Sequence, residues 1–245
     1  MTVVANPLAG TQAVVLAGGK GTRLRPLTAV FPKPLVPLGH KPIIEILLNK
    51  LKNSGLHDIT ISTGYLAELV MAVCGDGSRF GLAIRYSRED RPLGTAGPLG
   101  QMELGAQTVI VMNGDLLTTL SFANVLRHHD QQQADVTIAV HRREIKIDFG
   151  VVDSDSEGAF TGFREKPVFD YEVSMGVNIL SANARSLIRP DEYLDMPDLI
   201  LKVHESGGKV CCFREQGYWL DIGRMDDYAQ AQADFEENEA KFVAQ

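Results

Sequence analysis

The residues best equipped for chemistry come early in the chain. Gly18-Gly19-Lys20-Gly21-Thr22-Arg23 follows a short apolar run, Ala13-Val14-Val15-Leu16-Ala17. Glycines at 18, 19 and 21 free the backbone for unusual φ and let its N–H groups approach a ligand closely. Lys20, Arg23, Arg25 and Lys33 place four cations in or just after this loop. Bare N–H groups and cations at the end of a strand suit a phosphate. Proline on each side of Lys33 restrains the local backbone and limits how far its ammonium wanders. Two phosphate loops are excluded. A Walker loop needs Ser or Thr after Gly-Lys, but Gly21 follows Lys20. A dinucleotide fingerprint needs glycine three places after Gly21, where Leu24 stands.

Carboxylates recur later where strands should end. Thr108 to Met112 reads as a buried strand running into Asn113-Gly114-Asp115. An Asp there can hold Mg2+ against triphosphate oxygens, or can cap a helix or close a turn. In Arg88 to Leu99, Pro92-Leu93-Gly94 is turn chemistry, and Thr95 is expected to cap a helix running to about Leu104. Glu165-Lys166-Pro167, read alone, is an exposed hairpin turn. Trp219, the only tryptophan, reads as core. His128 and His129 are adjacent and share no helical face, so both are expected in solvent and not as ligands. Cys74, Cys211 and Cys212 have neither CxxC nor zinc spacing, which suits free thiols in a reducing cytoplasm.

The elements that must position these groups alternate. Lys41 to Asn53 is predicted as a helix with Ile43, Ile44, Leu47, Leu48 and Leu51 on one face, ended by Gly55. Ile59 to Ser62 is a short strand, Ala67 to Cys74 a helix, and Leu82 to Tyr86 a strand. Phe122 to His129 reads as a surface helix and Asp135 to His141 as an alternating strand. This rhythm predicts an α/β fold with a mostly parallel sheet and helices on both faces. Ligands on such sheets bind at the carboxyl ends of strands, where the glycine loop lies. From about Arg142 the texture becomes short strands, Phe149 to Asp153, Ala159 to Arg164 and Val173 to Ser181, expected as a smaller β-rich subdomain. Asp195 to Glu205 is a helix opened by Asp and Pro, Val210 to Phe213 a strand, and Asp226 onward an amphipathic helix with a solvated acidic tail.

The charge balance narrows the partners. A net charge of -7 makes a broad nucleic-acid surface improbable. Yet none of the 31 acids precedes Glu45, while five Lys and Arg do, and it is the local field that captures an anionic ligand. No apolar run reaches the ~18 residues of a membrane helix. MTVVANPLAG lacks a basic n-region, so no secretory signal is expected and residues 1–12 are read as a loose leader.

LAGGKGTRLRPLT followed by PKPLVPLGHKPII closely resembles the signature of the sugar-1-phosphate nucleotidyltransferases, and most of all mannose-1-phosphate guanylyltransferase-like enzymes. The resemblance covers Ala13 to about Ala231. It implies a Rossmann-like, glycosyltransferase-A-like fold in one domain over 13–245. Within that domain, 13–141 would bind the nucleotide and 142–231 the sugar, 232–245 would form a terminal helix and tail, and no module would be appended. It implies that an NTP and a sugar 1-phosphate react to give a nucleotide sugar and pyrophosphate. Leu16, Ala17, Gly18, Gly19, Gly21, Thr22 and Arg23 would hold the nucleotide, with Gly94 and Thr95 of LGTAGPL lining the base pocket. Glu89 would read the base, and a carboxylate, an acceptor only, suits the donors of guanine better than uracil or thymine. That favours GTP, with UTP or dTTP as the alternative. Gly150, Glu165, Lys166 and Asn178 would bind the sugar phosphate. Asp115 and Asp221, from Trp-x-Asp-x-Gly, would hold Mg2+. Arg23, Lys33, Asp115 and Lys166 would carry catalysis, in a cytoplasmic enzyme for which a homo-oligomer stays open. A second class, a non-catalytic nucleotide-sugar sensor regulating a partner, is disfavoured by the presence of Arg23, Lys33, Asp115 and Asp221.

Overall fold

The computed structural model describes Leu8 and residues 10–243. In chain order its elements are β1 (Gln12–Leu16), β2 (Pro37–Leu38), β3 (Lys41–Pro42), α1 (Ile43–Asn53), β4 (Asp58–Thr63), α2 (Ala67–Cys74), β5 (Ala83–Arg88), β6 (Thr108–Asn113) and β7 (Leu116–Thr118). There follow α3 (Phe122–Gln132), β8 (Val136–Lys146), β9 (Val151–Ser154), β10 (Phe160–Arg164), β11 (Val168–Ser181), α4 (Ala182–Ser186) and α5 (Met196–Glu205). The last elements are β12 (Val210–Glu215), β13 (Trp219–Asp221), α6 (Met225–Glu237) and α7 (Glu239–Val243).

Seven strands form one sheet in the order β12-β8-β11-β6-β1-β4-β5. Its neighbours pair in parallel except at β11, which runs antiparallel to both β6 and β8. The α/β fold with a mostly parallel mixed sheet is therefore as expected. β1 is apolar throughout its middle because both its faces are covered. Ala13 and Val15 point into one core with Ile44, Leu48 and Ile110, while Val14 joins a second with Val109, Leu199 and Val203. The long β8 and β11 continue past the sheet as an arm, with β9 and β10 forming a separate antiparallel hairpin at its end.

Four sequence expectations need correction. Leu8, inside the expected loose leader, is buried in the core, and the remainder of that segment apart from residues 10–12 lies outside the described residues. The acidic tail is solvated only in part: Glu236, Glu237 and Lys241 are exposed, but Phe242 of α7 is buried against Phe235 and Tyr218, because one aromatic at helical spacing suffices to dock a charged helix. The histidines are not solvated either. Helix α3 lies on the sheet, so His129 is buried with Nδ1 2.8 Å from Thr137 Oγ1, and His128 sets its ring edge-on to Phe213. Burial holds the His129 imidazole below its ordinary pKa. Finally, Thr95 starts no helix to Leu104. Gly97–Gln101 makes only a short 3-10 turn, its Gly-Pro-Leu-Gly composition being poor helix material.

Candidate active site

Register decides which residues meet. Leu16 at the end of β1 lies opposite Ser62 of β4 and Asn113 of β6. The segments that follow these strands therefore leave the sheet on one edge, the carboxyl edge where parallel sheets bind ligands. Two clefts open there, of about 720 and 940 Å3, sharing Leu16, Thr95 and Asn113.

The smaller cleft is built from loops. Ala17 to Lys20 follow β1, Gly64 and Tyr65 follow β4, Glu89 to Gly94 follow β5, and Gly114 and Asp115 follow β6. Its glycines are there for closeness. A Cβ on Gly18 would lie 2.8 Å from Glu89 Oε1, and one on Gly114 2.9 Å from the Leu16 carbonyl oxygen. Gly19 meets nothing within 4 Å, which leaves its backbone open to the cleft. Gly21 takes a left-handed φ of 59°, and its carbonyl accepts a 2.7 Å hydrogen bond from Thr28 Oγ1. Half-buried Glu89 accepts hydrogen bonds from Ser62 Oγ at 3.2 Å and from the Leu93 N–H at 3.1 Å. Each carboxylate oxygen keeps a further lone pair for a donor from the cleft.

The larger cleft lies over β6, β8 and β11. Val111, Ile138 and Asn178 form part of its floor, and Ser174 to Gly176, Met196 and Trp219 its walls. Asn178 is 5% exposed and its Oδ1 has no partner. A buried carbonyl oxygen without a donor carries a free-energy cost of roughly 1–3 kcal/mol, which a ligand hydroxyl would remove. Trp219 is only partly buried and donates its indole N–H to the Met175 carbonyl at 3.0 Å. Thr95 spans the two clefts. Its Oγ1 accepts the Met196 N–H at 2.7 Å and its own N–H donates to Asp195 Oδ1 at 3.1 Å. It thus caps α5 from a hundred residues away, in place of the local helix expected of it.

Between the clefts stands a charged cluster. Lys33 Nζ makes an ion pair with Asp115 Oδ2, both side chains being mostly buried. Asp115 Oδ1 is buried and has no partner. Asp221 comes alongside because β7 and β13 pair, with Asp221 opposite Leu116, and because the Ile222 N–H donates to the Asp115 carbonyl at 3.1 Å. Burial first, and then the charge of Asp115, raises the Asp221 carboxyl pKa, while Lys33 and Arg23 pull it back down. Arg23 reaches the same place. A Cβ on Gly223 would lie 3.2 Å from Asp221 Oδ2 and 3.4 Å from Arg23 Nη2. An unpartnered Oδ1 beside a second, disfavoured carboxylate is a donor set that a hard divalent cation fits. No group of three or more His, Cys, Asp or Glu side chains is placed to hold a metal ion among the described residues.

Most of the sequence-derived residues meet here: Leu16, Ala17, Gly18, Gly19, Lys33, Glu89, Gly94, Thr95 and Asp115 line the smaller cleft, and Arg23, Asn178 and Asp221 the larger. Gly21 and Thr22 support the loop from outside these linings. Gly150, Glu165 and Lys166 lie apart, around the β9–β10 hairpin. There a Cβ on Gly150 would come 3.1 Å from Glu165 Oε2, and Glu165 and Lys166 are exposed. His141, Arg142, Arg143 and Arg224 line the larger cleft and were not singled out from sequence. The signal for the first three was their place at the end of a predicted strand, and for Arg224 its place directly after Trp-x-Asp-x-Gly.

A sequence profile of the nucleotidyl transferase family matches residues 12–238. The chain belongs to that family. It is 34% identical over 229 residues to a mannose-1-phosphate guanylyltransferase of Mycobacterium tuberculosis, covering 91% of this chain and 64% of that protein. It is 32% identical over 240 residues to a UTP--glucose-1-phosphate uridylyltransferase of Synechocystis, covering 90% of this chain and 62% of that one. The chain thus spans less than two thirds of the length of these relatives. The crystal structure of HddC from Yersinia pseudotuberculosis complexed with GMP-PN superposes with a TM-score of 0.71 at 25% identity, over 91% of this chain and 99% of the other.

Proposed function

We propose that this nucleotidyl transferase moves a nucleoside monophosphate from GTP to a sugar 1-phosphate, releasing pyrophosphate by in-line attack at the α-phosphorus. The observation that carries this is the unpartnered Asp115 Oδ1 with Asp221 alongside, at the meeting of two clefts that share a wall. A sugar 1-phosphate is already an oxyanion at neutral pH, so the attack needs no general base. The barrier is repulsion between two anions and charge growth on the leaving group, which position and electrostatics can lower. Backbone N–H groups of the 18–22 loop cradle the triphosphate. Arg23 neutralises the departing pyrophosphate, and Lys33 supports the α-phosphate. Asp115 and Asp221 would hold Mg2+, which when bound shields the reacting phosphates.

Residues 142–231 take the sugar in this scheme: Asn178 stands in the cleft floor, and the hairpin, which lies apart from the clefts in this structure, would have to come in to offer Glu165 to sugar hydroxyls and Lys166 to the attacking phosphate. Free cysteines at 74, 211 and 212 suit a cytoplasmic setting, and no helix among the described residues is long and apolar enough to cross a membrane. The guanine preference rests on Glu89, whose remaining lone pairs suit the ring N–H and amino donors of guanine. GMP-PN in the related HddC crystal supports it, and the uridylyltransferase relative keeps UTP as the alternative. Pyrophosphate release should be measured for four nucleoside triphosphates against several sugar 1-phosphates with Mg2+. GTP is expected to lead, a preference for UTP would remove the role given to Glu89, and no release with any pair would remove the enzyme assignment.

A further inference from the structure

Strand β12 stands at one edge of the sheet, and its open side has no part in the chemistry above. The Lys209 carbonyl accepts the Val136 N–H at 3.1 Å, so the parallel ladder to β8 uses the backbone groups of residues 209, 211 and 213 in alternation. Val210, Cys212 and Arg214 therefore turn their N–H and C=O groups outward, and nothing pairs with these groups among the described residues. Such a row is a template for another strand, and proteins commonly blunt it with proline, a bulge, lysine or a very short strand. β12 runs for 6 residues with neither proline nor register shift, and Val210-Cys211-Cys212-Phe213 is uncharged. No residue of β12 lines either cleft.

We propose that two copies of this chain join edge to edge through β12, antiparallel about a two-fold axis at Cys212. The edge is complementary to itself in that register. Outward groups must meet outward groups, so the axis falls on a residue and not between two. An axis at Cys212 lets Cys212 exchange backbone bonds with its symmetry mate, and Val210 with Arg214 of the second copy. It also sets Lys209 opposite Glu215 of the second copy, which no other axis on this strand does. Opposite charges on directly facing residues stabilise a strand pair, and like charges oppose it. Lys209 gives one donor to the Gln132 carbonyl at 2.5 Å and Glu215 one oxygen to the Gly217 N–H at 2.6 Å, which leaves each with capacity for the other. Arg214, opposite Val210 in this arrangement, is already neutralised by Glu172.

The test is sedimentation velocity on the full chain from about 1 to about 100 μM, the range in which a modest interface dissociates, for wild type, Cys212→Pro and Lys209→Glu. Proline at 212 removes an N–H that points away from β8, so the ladder inside the chain stays whole while both central bonds between copies are lost. Wild type is expected to dimerise, and Cys212→Pro to weaken the dimer by about 10-fold or more, the worth of two hydrogen bonds. Wild type monomeric at every concentration, or Cys212→Pro as dimeric as wild type, overturns the proposal. Should Cys212→Pro show no cooperative melt, Lys209→Glu decides. That exposed substitution sets two acids opposite one another at each end of the ladder. A dimer about 5-fold weaker supports the proposal, and an unchanged one overturns it.

Discussion

At the scale of single residues, the site is built from groups that are individually unfavourable. Asp221 is half-buried beside Asp115, and first its loss of water and then this like-charge neighbour disfavour its ionised form. Asp221→Asn should therefore raise the melting temperature of the metal-free chain while lowering transfer by about 100-fold or more, as loss of a preorganised electrostatic group does. Thermal melts with EDTA and pyrophosphate assays on the same preparation check both halves. Lys50 gives a pH signature. Its pKa falls from an ordinary 10.5 to about 8 in the folded chain. Between these values the unfolded chain holds a proton that the folded chain has shed, so this residue's contribution to stability rises with pH across the window and is lost as pH falls through about 8. Urea unfolding of wild type and Lys50→Met at either end of the window should show wild type gaining on the variant as pH rises.

At the scale of elements, contacts distant in sequence fix the site. Thr95 and Asp195 cap α5 across the shared wall of the clefts, the threonine hydroxyl taking the Met196 N–H that opens the helix. Thr95→Ala should cost about 1 kcal/mol of stability, the usual loss for a helix cap. It should also raise KM for both substrates, because Thr95 lines both clefts. Denaturant midpoints and steady-state kinetics separate the two effects. The β7–β13 ribbon plays the same part for the carboxylates, its three residue pairs setting where Asp221 stands.

At the scale of the molecule, the C-terminal helices close a third core beside the loop that carries Arg23. Phe242 and Phe235 pack in one cluster with Leu38 and with Leu24, Leu117 and Ile222, which stand within two residues of Arg23, Asp115 and Asp221 in sequence. Phe242→Ala should therefore destabilise by about 3–5 kcal/mol, as deletion of a buried aromatic does. Calorimetry should find the loss, and activity below the new melting point should fall as well, because the loop and ribbon rest on that cluster. The whole chain carries a charge of -7, yet the loop after β1 is cationic. The triphosphate of the proposed reaction would thus meet a local field opposite in sign to the global one, the arrangement that concentrates a charged ligand in a cleft.

The amino-acid sequence alone determined the parallel-sheet architecture, because apolar runs such as Val109-Ile110-Val111-Met112 can be buried only on both faces of a strand. It also marked the glycine loop after β1 and the two aspartates as the candidate site, since the phosphate and metal roles proposed for them would restrict residue type more than neighbours do. Only the tertiary structure decided what Thr95, His129 and Phe242 do. Thr95 depends on Met196 about a hundred residues on and Phe242 on Tyr218, and even His129 meets Thr137 only once the chain has turned from α3 into β8. Local periodicity carries no record of such pairings, because they form when loops close and burial turns an ordinary side chain into a cap or a core residue.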